Sequence, residues 1–417
     1  MTSKWLRLGV GAAFAAATLA AASLASAQNK EIVLGFQTDR TGVTANIGVP
    51  VGTGYNDYIA LVNSKGGVEG YKLKVVEIDM EYKVPPAVEG YERQKKEGAV
   101  LVGLFATPAV QALTARMAED KIAGTSPGFG SAASRDGQRY PYLFPVAASY
   151  WSQMAGALQF AKTQLGGNLK GKKIAYLMYD NPAGKEPLPV LEAIAKQEGF
   201  DFRVFAVPPP GVEMGAQVLD ITQRYRPDFV VTHLFGRAPS VSVKELKRNG
   251  YSLRKVVAMA WGGAEADIEA AGGYAAAEGY NTIQFAGAGT DFPVIREILN
   301  MYSAGGKEPP KDMRSSVMYN RGVLTAAIHV EAVRNAIKAN GGKAPTSEQV
   351  KAGFESISGF SLGGLVPPLK ITPQDHEGGG WVKIYQVKGG SLQPVGDWFQ
   401  GFPAVLDQVL KTELSKG

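Results

Sequence analysis

The feature that most limits the fold is an alternation, from residue 31 onward, between short β-branched runs and Ala-rich helical segments. Runs such as IVLGFQT (32–38), AVLVGL (99–104) and DFVVTHLF (228–235) are mostly apolar, which is typical of strands buried on both faces of a parallel sheet. The helical segments between them supply the crossovers that parallel strands require. The sequence therefore predicts an α/β protein with two doubly wound parallel sheets.

An irregular stretch rich in Gly and Pro, residues 127–145, separates two such series of strands and helices. The strand, helices and β-rich tail beyond the second series contain too few strands to stand alone, so they must complete the two lobes already begun. We predict lobe one from residues 28–148 plus 279–358, and lobe two with a C-terminal tail from 149–278 plus 359–417. A multi-stranded hinge would join the lobes, with a ligand crevice between them at the carboxyl ends of the strands.

The N-terminus has the pattern of a secretory signal peptide. Lys4 and Arg7 precede an apolar, Ala-rich stretch at 8–24, which is followed by the small residues Ala25–Ala27. A retained membrane anchor is the weaker alternative, because Ala and Gly insert poorly into a bilayer. We predict that residues 1–27 are removed by cleavage after Ala27, which makes the mature protein periplasmic in a Gram-negative cell.

Composition and motifs weigh against catalysis, metal binding and nucleic-acid binding. The formal charge of +6 is spread along the chain, and the absence of cysteine excludes disulfides and thiolate sites. His233, His329 and His376 show no metal-ligand spacing, and no nucleophile elbow or phosphate-binding loop occurs. GFGSAA (128–133) imitates a dinucleotide fingerprint, but its continuation would make a poor helix. We predict no enzyme activity, no cofactor, no metal and no nucleic-acid partner.

Four local motifs follow one another along the predicted mature chain. They are GFQTDRTG (35–42), NSKGGVEG (63–70), AAEGY (276–280) and MYNRGVLTAAIHVEAV (318–333). In this order they resemble the leucine-binding-like, type I periplasmic binding proteins that serve ABC importers of the branched-chain amino acid type. The resemblance implies a protein that captures a small molecule between two lobes and delivers it to permease subunits in the inner membrane. It implies no covalent chemistry, and we expect a monomer.

The resemblance also implies a set of ligand-binding residues in lobe one. In this family, hydroxyls and backbone amides of the loop after the third strand hold the charged end of the ligand. That loop places Thr107, Pro108 and Ala109 at the site, and the next loop adds Ser126 and Phe129; Thr41 comes from the first motif. For Thr107, capping of the following helix is an alternative role, and both roles can coexist.

The second lobe departs from the family pattern. The family's ligand-stacking Tyr falls on Ala183, and its second-lobe aromatic residue falls on Phe235. The family's amine-binding Glu falls near Trp261 or Gly262. An ammonium group buried without an anionic partner is very unfavourable, so these departures bear directly on the ligand.

Two interpretations of the missing Glu remain open. Either Glu265 or Asp180 replaces it, or the ligand carries no amine. In the second case, five aromatic residues would form an apolar pocket: Phe129, Trp151, Tyr179, Phe235 and Trp261. Core packing is the alternative role for each of them, and His233 would either face the crevice or be structural. The sequence favours a small carboxylate with an aromatic or aliphatic body.

Two other functions remain as alternatives to import. A receptor domain that presents its ligand to a membrane signalling protein would use the same opening and closing of two lobes. An exported α/β enzyme has less support, because no catalytic constellation is found in the sequence.

Overall fold

The computed structural model describes residues 30–416 of the 417-residue chain. The predicted signal peptide, residues 1–27, lies outside the described residues. In the described part, no helix is both long and apolar enough to cross a bilayer.

Lobe one is built on a parallel sheet formed early in the chain. Its strands are β1 (Glu31–Thr38), β2 (Lys72–Asp79), β3 (Leu101–Gly103), β4 (Ala123–Thr125) and β5 (Leu143–Phe144). Its crossover helices are α1 (Ala45–Ser64), α2 (Val84–Lys96) and α3 (Thr107–Asp120). The strands lie in the order β2-β1-β3-β4-β5, and all neighbours are parallel. Their largely apolar sequences follow from helices that cover the sheet faces.

Lobe two repeats this architecture after the helix α4 (Tyr150–Gln164). Its first five strands are β6 (Lys173–Tyr179), β7 (Asp201–Val207), β8 (Phe229–His233), β9 (Val256–Ala258) and β10 (Asn281–Gln284). The helices between them are α5 (Pro182–Lys185), α6 (Leu188–Glu198), α7 (Gly215–Leu219), α8 (Ala238–Arg248) and α9 (Glu265–Ala270). These five strands are parallel, as the apolar runs predict.

Three helices then return to lobe one: α10 (Pro293–Ala304), α11 (Ser316–Ala339) and α12 (Ser347–Glu355). The contact between α11 and α1 depends on two glycines. A Cβ atom added at Gly322 would overlap the carbonyl oxygen of Val51, and one added at Gly54 would overlap that of Tyr319. The two helix backbones therefore approach one another more closely than any larger residue would allow. The antiparallel pair β11 (Ser358–Phe360) and β12 (Leu369–Lys370) follows α12.

The C-terminal segment completes the sheet of lobe two. It contributes β13 (Val382–Lys388), β14 (Ser391–Phe399) and a final helix, α13 (Pro403–Leu414). β13 pairs antiparallel with both β10 and β14, which gives the seven-stranded order β14-β13-β10-β9-β8-β6-β7. The tail predicted to be rich in strands thus forms the edge of a sheet and ends in a helix.

The structure corrects one boundary of the sequence-based division. The sequence predicts residues 279–358 as one block of lobe one, but β10 at the start of that block lies inside the sheet of lobe two, between β9 and β13. The return to lobe one therefore begins after Gln284. A short apolar strand carries no mark of the sheet that it joins, because strands of both sheets are covered by helices.

Three segments of chain connect the lobes. They run between β5 and α4, between β10 and α10, and between β12 and β13. The amide of Ala147 in the first segment donates to the carbonyl of Glu377 in the third over 2.8 Å, and the amide of Gly287 in the second donates over 2.8 Å to the carbonyl of Leu365, which lies between β11 and β12. The buried Glu377 carboxylate also accepts from the backbone amide of Ser149 over 2.6 Å. The connection is thus a hinge of three segments, and hydrogen bonds join the first of them to the third.

Candidate functional site

The candidate site is the cleft between the lobes, at the carboxyl ends of the strands. It has a wide mouth of about 770 Å³. Beyond the mouth lies a narrow inner pocket with a free volume of about 30 Å³. Thr44, Tyr82 and Phe235 line both spaces, so the mouth leads into the inner pocket. Ligands of doubly wound proteins bind at this edge of the sheet.

Both lobes contribute to the inner pocket. Lobe one supplies Thr44, Ile47, Tyr82, Phe105, Ala106, Thr107 and Phe129, and lobe two supplies Tyr150, Phe235 and Trp261. Six of these ten side chains are aromatic, and none is acidic or basic. The pocket surface is therefore largely apolar, with two threonines as its polar exceptions besides the tyrosine hydroxyls.

The N-terminus of α3 lies at this pocket. Ala106, which precedes the helix, has φ of 69°, a backbone conformation unfavourable for a residue with a Cβ atom. Thr107 is the first helical residue and is 1% exposed, and its hydroxyl accepts a hydrogen bond from the Gly130 amide over 3.3 Å. The capping alternative for Thr107 is wrong, because Ala106 is the N-cap and no side chain caps the helix.

The first amides of a helix have no partner within it and favour a negative group. In α3, the second position is Pro108, which has no N–H to offer. Ala109 is buried, and neither Pro108 nor Ala109 lines the inner pocket. Pro108 and Ala109 could therefore contribute to ligand binding only through backbone atoms.

The loop after β4 contains an unsatisfied hydroxyl. Ser126 is fully buried, and its Oγ has no hydrogen-bond partner among the described residues. A Cβ atom built on Gly130 would lie 2.9 Å from this Oγ, and the Gly130 amide itself bonds to Thr107. The two hydroxyls predicted to hold the ligand's charged end therefore flank the same glycine. A buried polar atom without a partner is unfavourable unless something else satisfies it.

Aromatic rings of the two lobes meet across the cleft. The ring of Phe129 lies edge-on to that of Trp261, with centroids 5.7 Å apart, and Phe105 is 6.1 Å from Phe129. On the other side, Tyr82 and Phe235 are 5.8 Å apart. These offset and edge-on geometries are the favourable ones for aromatic pairs. The inner pocket is thus bounded by rings contributed by both lobes.

Several predicted residues lie where the sequence places them. Thr107, Phe129, Phe235 and Trp261 line the inner pocket, and Thr41 and Tyr179 line the mouth. The Thr41 hydroxyl donates to Asp79 over 2.7 Å. The Tyr179 hydroxyl donates to the carbonyls of Phe235 and Pro210, over 2.9 and 2.8 Å. The hydroxyls of these two mouth residues are thus engaged within the protein.

Other predicted residues do not reach the pocket surface. The exposed Asp180 forms an ion pair of 2.7 Å with Lys185, and Ala183 is buried within α5. Trp151 faces the other way and donates its ring N–H to the carbonyl of Glu186 over 3.0 Å. Its neighbour Tyr150 lines the pocket instead, because adjacent helical residues point in different directions. Gly262, next to Trp261, is also buried and does not line either space.

His233 lies one layer behind the pocket. Its ring is 4.3 Å from that of Tyr150, and its Nδ1 is hydrogen-bonded to the hydroxyl of Tyr176 over 3.1 Å. Burial lowers the pKa of His233 to about 3, so the imidazole is neutral at any physiological pH. It does not line the inner pocket or the mouth.

Glu265 supports the start of α11 rather than the pocket. Its carboxylate accepts hydrogen bonds from the Ser316 hydroxyl and from the Val317 amide, the latter over 3.2 Å. Burial raises its pKa, and it does not line the inner pocket. At the mouth, the Glu81 carboxylate is paired with Lys83 over 2.6 Å. Neither residue therefore offers a free carboxylate inside the pocket.

Sequence reasoning missed six residues that line the inner pocket: Thr44, Ile47, Tyr82, Phe105, Ala106 and Tyr150. Most follow the carboxyl ends of β1, β2 and β3, where side chains of a doubly wound sheet meet the crevice. Their position just after the ends of these strands is the sequence signal that could have identified them. Tyr82 has a φ of 57°, which is unusual for an aromatic residue, but this feature is visible only in the structure.

Hydrogen bonds between the lobes hold the cleft in this geometry. The Gly128 carbonyl of lobe one accepts from the ring N–H of Trp261 and from the side-chain amide of Gln153, each over 2.8 Å. At another point, the backbone amide of Ala132 donates to the Glu186 carboxylate over 2.7 Å. Opening of the lobes would break these hydrogen bonds. Closure of the lobes around a ligand would form them again.

The carboxylate of Glu186 makes stability depend on pH. Burial raises its pKa to about 7, against the hydrogen bond from Ala132, and the charge of Glu413 adds to the rise. Between about pH 4.5 and 7 the folded protein holds a proton that the unfolded chain has lost, so stability falls as pH rises through this window. We expect Glu186→Gln to be more stable than the wild type at pH 8 by about 3 kcal/mol, with little difference at pH 4.

Urea unfolding at the two pH values measures this difference. The matched control is Glu192→Gln, which changes an exposed carboxylate on the adjacent helix α6. An equal effect of Glu186→Gln at pH 4 and pH 8 would contradict the assignment.

Known proteins share both the fold and the sequence pattern. A model of the periplasmic binding protein family matches residues 31–391. A structure described as an ABC transporter permease from the Pseudomonas fluorescens group has 32% identity and a TM-score of 0.83, over 93% of this chain and 96% of that chain. A branched-chain amino acid ABC transporter from Thermus thermophilus, solved with bound valine, has 25% identity and a TM-score of 0.79, over 91% and 99%.

A fatty acid ABC transporter substrate-binding protein from Thermomonospora curvata has the same fold, with 20% identity and a TM-score of 0.76, over 91% and 94% of the two chains. No functionally curated protein is significantly similar to this chain. The family match and these structures confirm the resemblance stated from the motifs, the α/β fold and a role in binding solutes rather than in catalysis. The chain belongs to the periplasmic binding protein family.

Proposed function

We propose that the protein is the extracytoplasmic solute-binding component of an ABC importer, and that its ligand is a small carboxylate with an aromatic or aliphatic body. The observation that carries this proposal is the lining of the inner pocket, in which six of ten side chains are aromatic and none is acidic. Such a surface favours an apolar body, whereas a buried ammonium group would need an anion beside it.

The carboxylate end is assigned to the side of the pocket formed by α3. Thr107 lines the pocket at the positive end of that helix, and the buried Ser126 hydroxyl nearby has no partner among the described residues. A hydroxyl donor together with a helix N-terminus is a favourable environment for an anion. The free volume of the inner pocket, about 30 Å³, holds about one water molecule, so the aromatic rings would have to move apart, as the lobes open, before they could surround the rest of the ligand.

A branched-chain amino acid is the competing ligand. The Thermus thermophilus structure contains valine, which has both a carboxylate and an ammonium group. In the present chain, Glu265 is bound to the start of α11 and Asp180 is paired with Lys185 outside the cleft. An amino acid would therefore have to bury its ammonium without a carboxylate at the pocket surface, which is strongly unfavourable.

We propose the remaining steps from the N-terminal sequence pattern and from the role of the family. Export would remove residues 1–27 by cleavage after Ala27, and the mature protein would act as a monomer in the periplasm. Closure around the ligand would then fix the two lobes in one position relative to each other. The permease subunits would recognise the combined surface that this position creates.

Ligand screening with residues 28–417 tests the proposal. Thermal-shift assays would compare benzoate and 3-methylbutanoate with valine, leucine and the amides of both acids, and calorimetry would confirm each hit. A ligand at 100 times its Kd stabilises the native state by about 2.7 kcal/mol, which gives a clear shift in melting temperature. We expect shifts with one or both acids and none with the amino acids. Binding of valine or leucine without binding of any acid would refute the proposed ligand class.

A further inference from the structure

The mouth of the cleft carries exposed apolar side chains from both lobes. Among the described residues, four large apolar residues are exposed: Val43, Val212, Leu219 and Val395. Val43, which belongs to lobe one, is 63% exposed, and Val212, which belongs to lobe two, is 45% exposed. Both line the mouth. A single exposed valine needs no explanation, but two that line one concave space from opposite lobes indicate a surface for an apolar group.

The loop that carries Val43 is held in place by hydrogen bonds. The carboxylate of the buried Asp39 accepts from the amide of Gly42 over 2.5 Å and from the amide of Thr44 over 2.8 Å, so the residues on both sides of Val43 are fixed. The carbonyl oxygen of Val43 lies against lobe two, because a Cβ atom added at Gly236 would be 2.9 Å from it. The exposure of Val43 therefore belongs to a well-packed loop.

The loop that carries Val212 is packed just as closely. The hydroxyl of Tyr179 donates to the carbonyl of Pro210 over 2.8 Å. Gly211 has φ of 68°, and a Cβ atom added there would lie 2.7 Å from both Ala238 and the ring of Tyr179. Only glycine allows the loop to approach this ring so closely. The two valines are thus parts of walls that are already formed in this structure.

Most polar groups of the mouth are engaged within the protein. Glu81 is paired with Lys83 over 2.6 Å, and the side-chain oxygen of Asn181 accepts from the amide of Gly184 over 2.9 Å. The exposed Arg237 is the one charged side chain of the mouth that has no ion pair among the described residues. The mouth therefore offers a ligand mainly apolar contacts.

The two spaces of the cleft differ in what they can hold. The free volume of the inner pocket, about 30 Å³, holds about one water molecule, whereas the mouth, at about 770 Å³, lies within the range of ligand pockets, about 300–1,000 Å³. Tyr82 and Phe235 line both spaces and bound the passage between them. A ligand whose acid group lies beside Thr107 therefore finds most of the space for its body outside the inner pocket.

We propose that the mouth is a second subsite, which binds an extended apolar tail of the ligand. The ligand is then a straight-chain carboxylic acid that is longer than a branched-chain acid. Its acid group lies at the N-terminus of α3, its chain passes Tyr82 and Phe235, and the end of the chain packs between Val43 and Val212. This inference rests on the proposed function and specifies the body of the ligand within it.

A series of acids of increasing chain length tests this subsite. Calorimetry on residues 28–417 would compare the straight-chain acids from butanoate to octanoate with 3-methylbutanoate and benzoate. A methylene group that is fully buried contributes about fourfold in affinity, and one that stays partly in water contributes less. We expect the affinity of the wild type to rise by about twofold to fourfold for each carbon added after pentanoate.

The double variant Val43→Ser/Val212→Ser removes the apolar contacts at the end of the tail. Both residues are exposed, so these substitutions should leave folding intact. We expect a loss of affinity that grows with chain length and reaches about fivefold or more for octanoate. The matched control is Leu219→Ser/Val395→Ser, which changes two exposed residues that line neither space and should leave every affinity unchanged.

The alternative results separate failure of the inference from failure of the proposed function. If the wild type binds acids but gains nothing beyond pentanoate, the mouth does not hold a tail, and the proposed function stands. An equal loss at every chain length in Val43→Ser/Val212→Ser, or an unchanged gain per carbon, would also overturn the inference, because the tail would then lie away from the two valines. If no acid of any length binds, the proposed function is wrong and the inference falls with it.

Discussion

Replacing Trp261 with alanine is expected to lower the affinity for the ligand by about 100-fold or more and to destabilise the protein by about 3–5 kcal/mol. The indole lines the inner pocket and packs edge-on against Phe129. Its N–H donates to the Gly128 carbonyl across the cleft, and its ring covers the guanidinium of Arg321. Alanine would remove all of these contacts together and leave a cavity beside a buried charge. Calorimetry with the ligand found by screening, together with urea unfolding, measures both effects.

Trp398→Ala is the matched control for this variant. Trp398 is half-buried on the edge strand β14 and lines neither the inner pocket nor the mouth. It should lose little stability and no ligand affinity. If Trp261→Ala bound the ligand within threefold of the wild type, the inner pocket would not be the binding site. Trp261→Phe separates the contributions further, because it keeps a ring in the wall and removes only the hydrogen bond between the lobes.

The second large effect is expected for Gly322→Ala, which should destabilise the protein by about 3 kcal/mol or more. A Cβ atom at this position would overlap the carbonyl oxygen of Val51, a backbone atom that cannot rotate away. Relief requires α1 and α11 to move apart, which loosens the packing on lobe one. Alanine is otherwise the better helix former, so intrinsic propensity acts in the opposite direction.

Gly305→Ala provides the comparison. Gly305 follows α10 with φ of −83°, and the nearest atoms to a Cβ added there are 3.5 Å away. Urea unfolding should therefore show little change for this variant. A loss below about 1 kcal/mol for Gly322→Ala would mean that the contact between the two helices is more yielding than the structure indicates.

Patterns along the sequence predict most of the scaffold but not how its parts are distributed between the sheets. The apolar runs predict the central strands because burial on both faces leaves a local mark in the sequence. β5, with two residues, and the polar edge strand β14 carry no such mark. The assignment of β10 to lobe two depends on its pairing with β13, a contact that no local pattern encodes.

The candidate site divides in the same way. Thr107, Phe129, Phe235 and Trp261 are identified by the family's motifs and line the inner pocket. Tyr150 lies beside the predicted Trp151, and the direction of each side chain depends on how α4 is rotated against its sheet. The burial of Arg321 beneath Trp261 depends on packing between segments that are 60 residues apart in the chain. The sequence of α11 alone does not indicate that its arginine is inaccessible to solvent.

The hinge of three segments has a consequence for the order in which the protein can fold. Asn281 of β10 pairs with Gln386 of β13, 105 residues later. Lobe one likewise lacks its covering helix α11 until residues 316–339 are present. Contacts so far apart in sequence slow folding, because the intervening chain must be closed into a loop first. Lobe two can therefore be finished only after all of lobe one has been made, and a chain cut before β13 would expose β10 as an unpaired edge prone to aggregation.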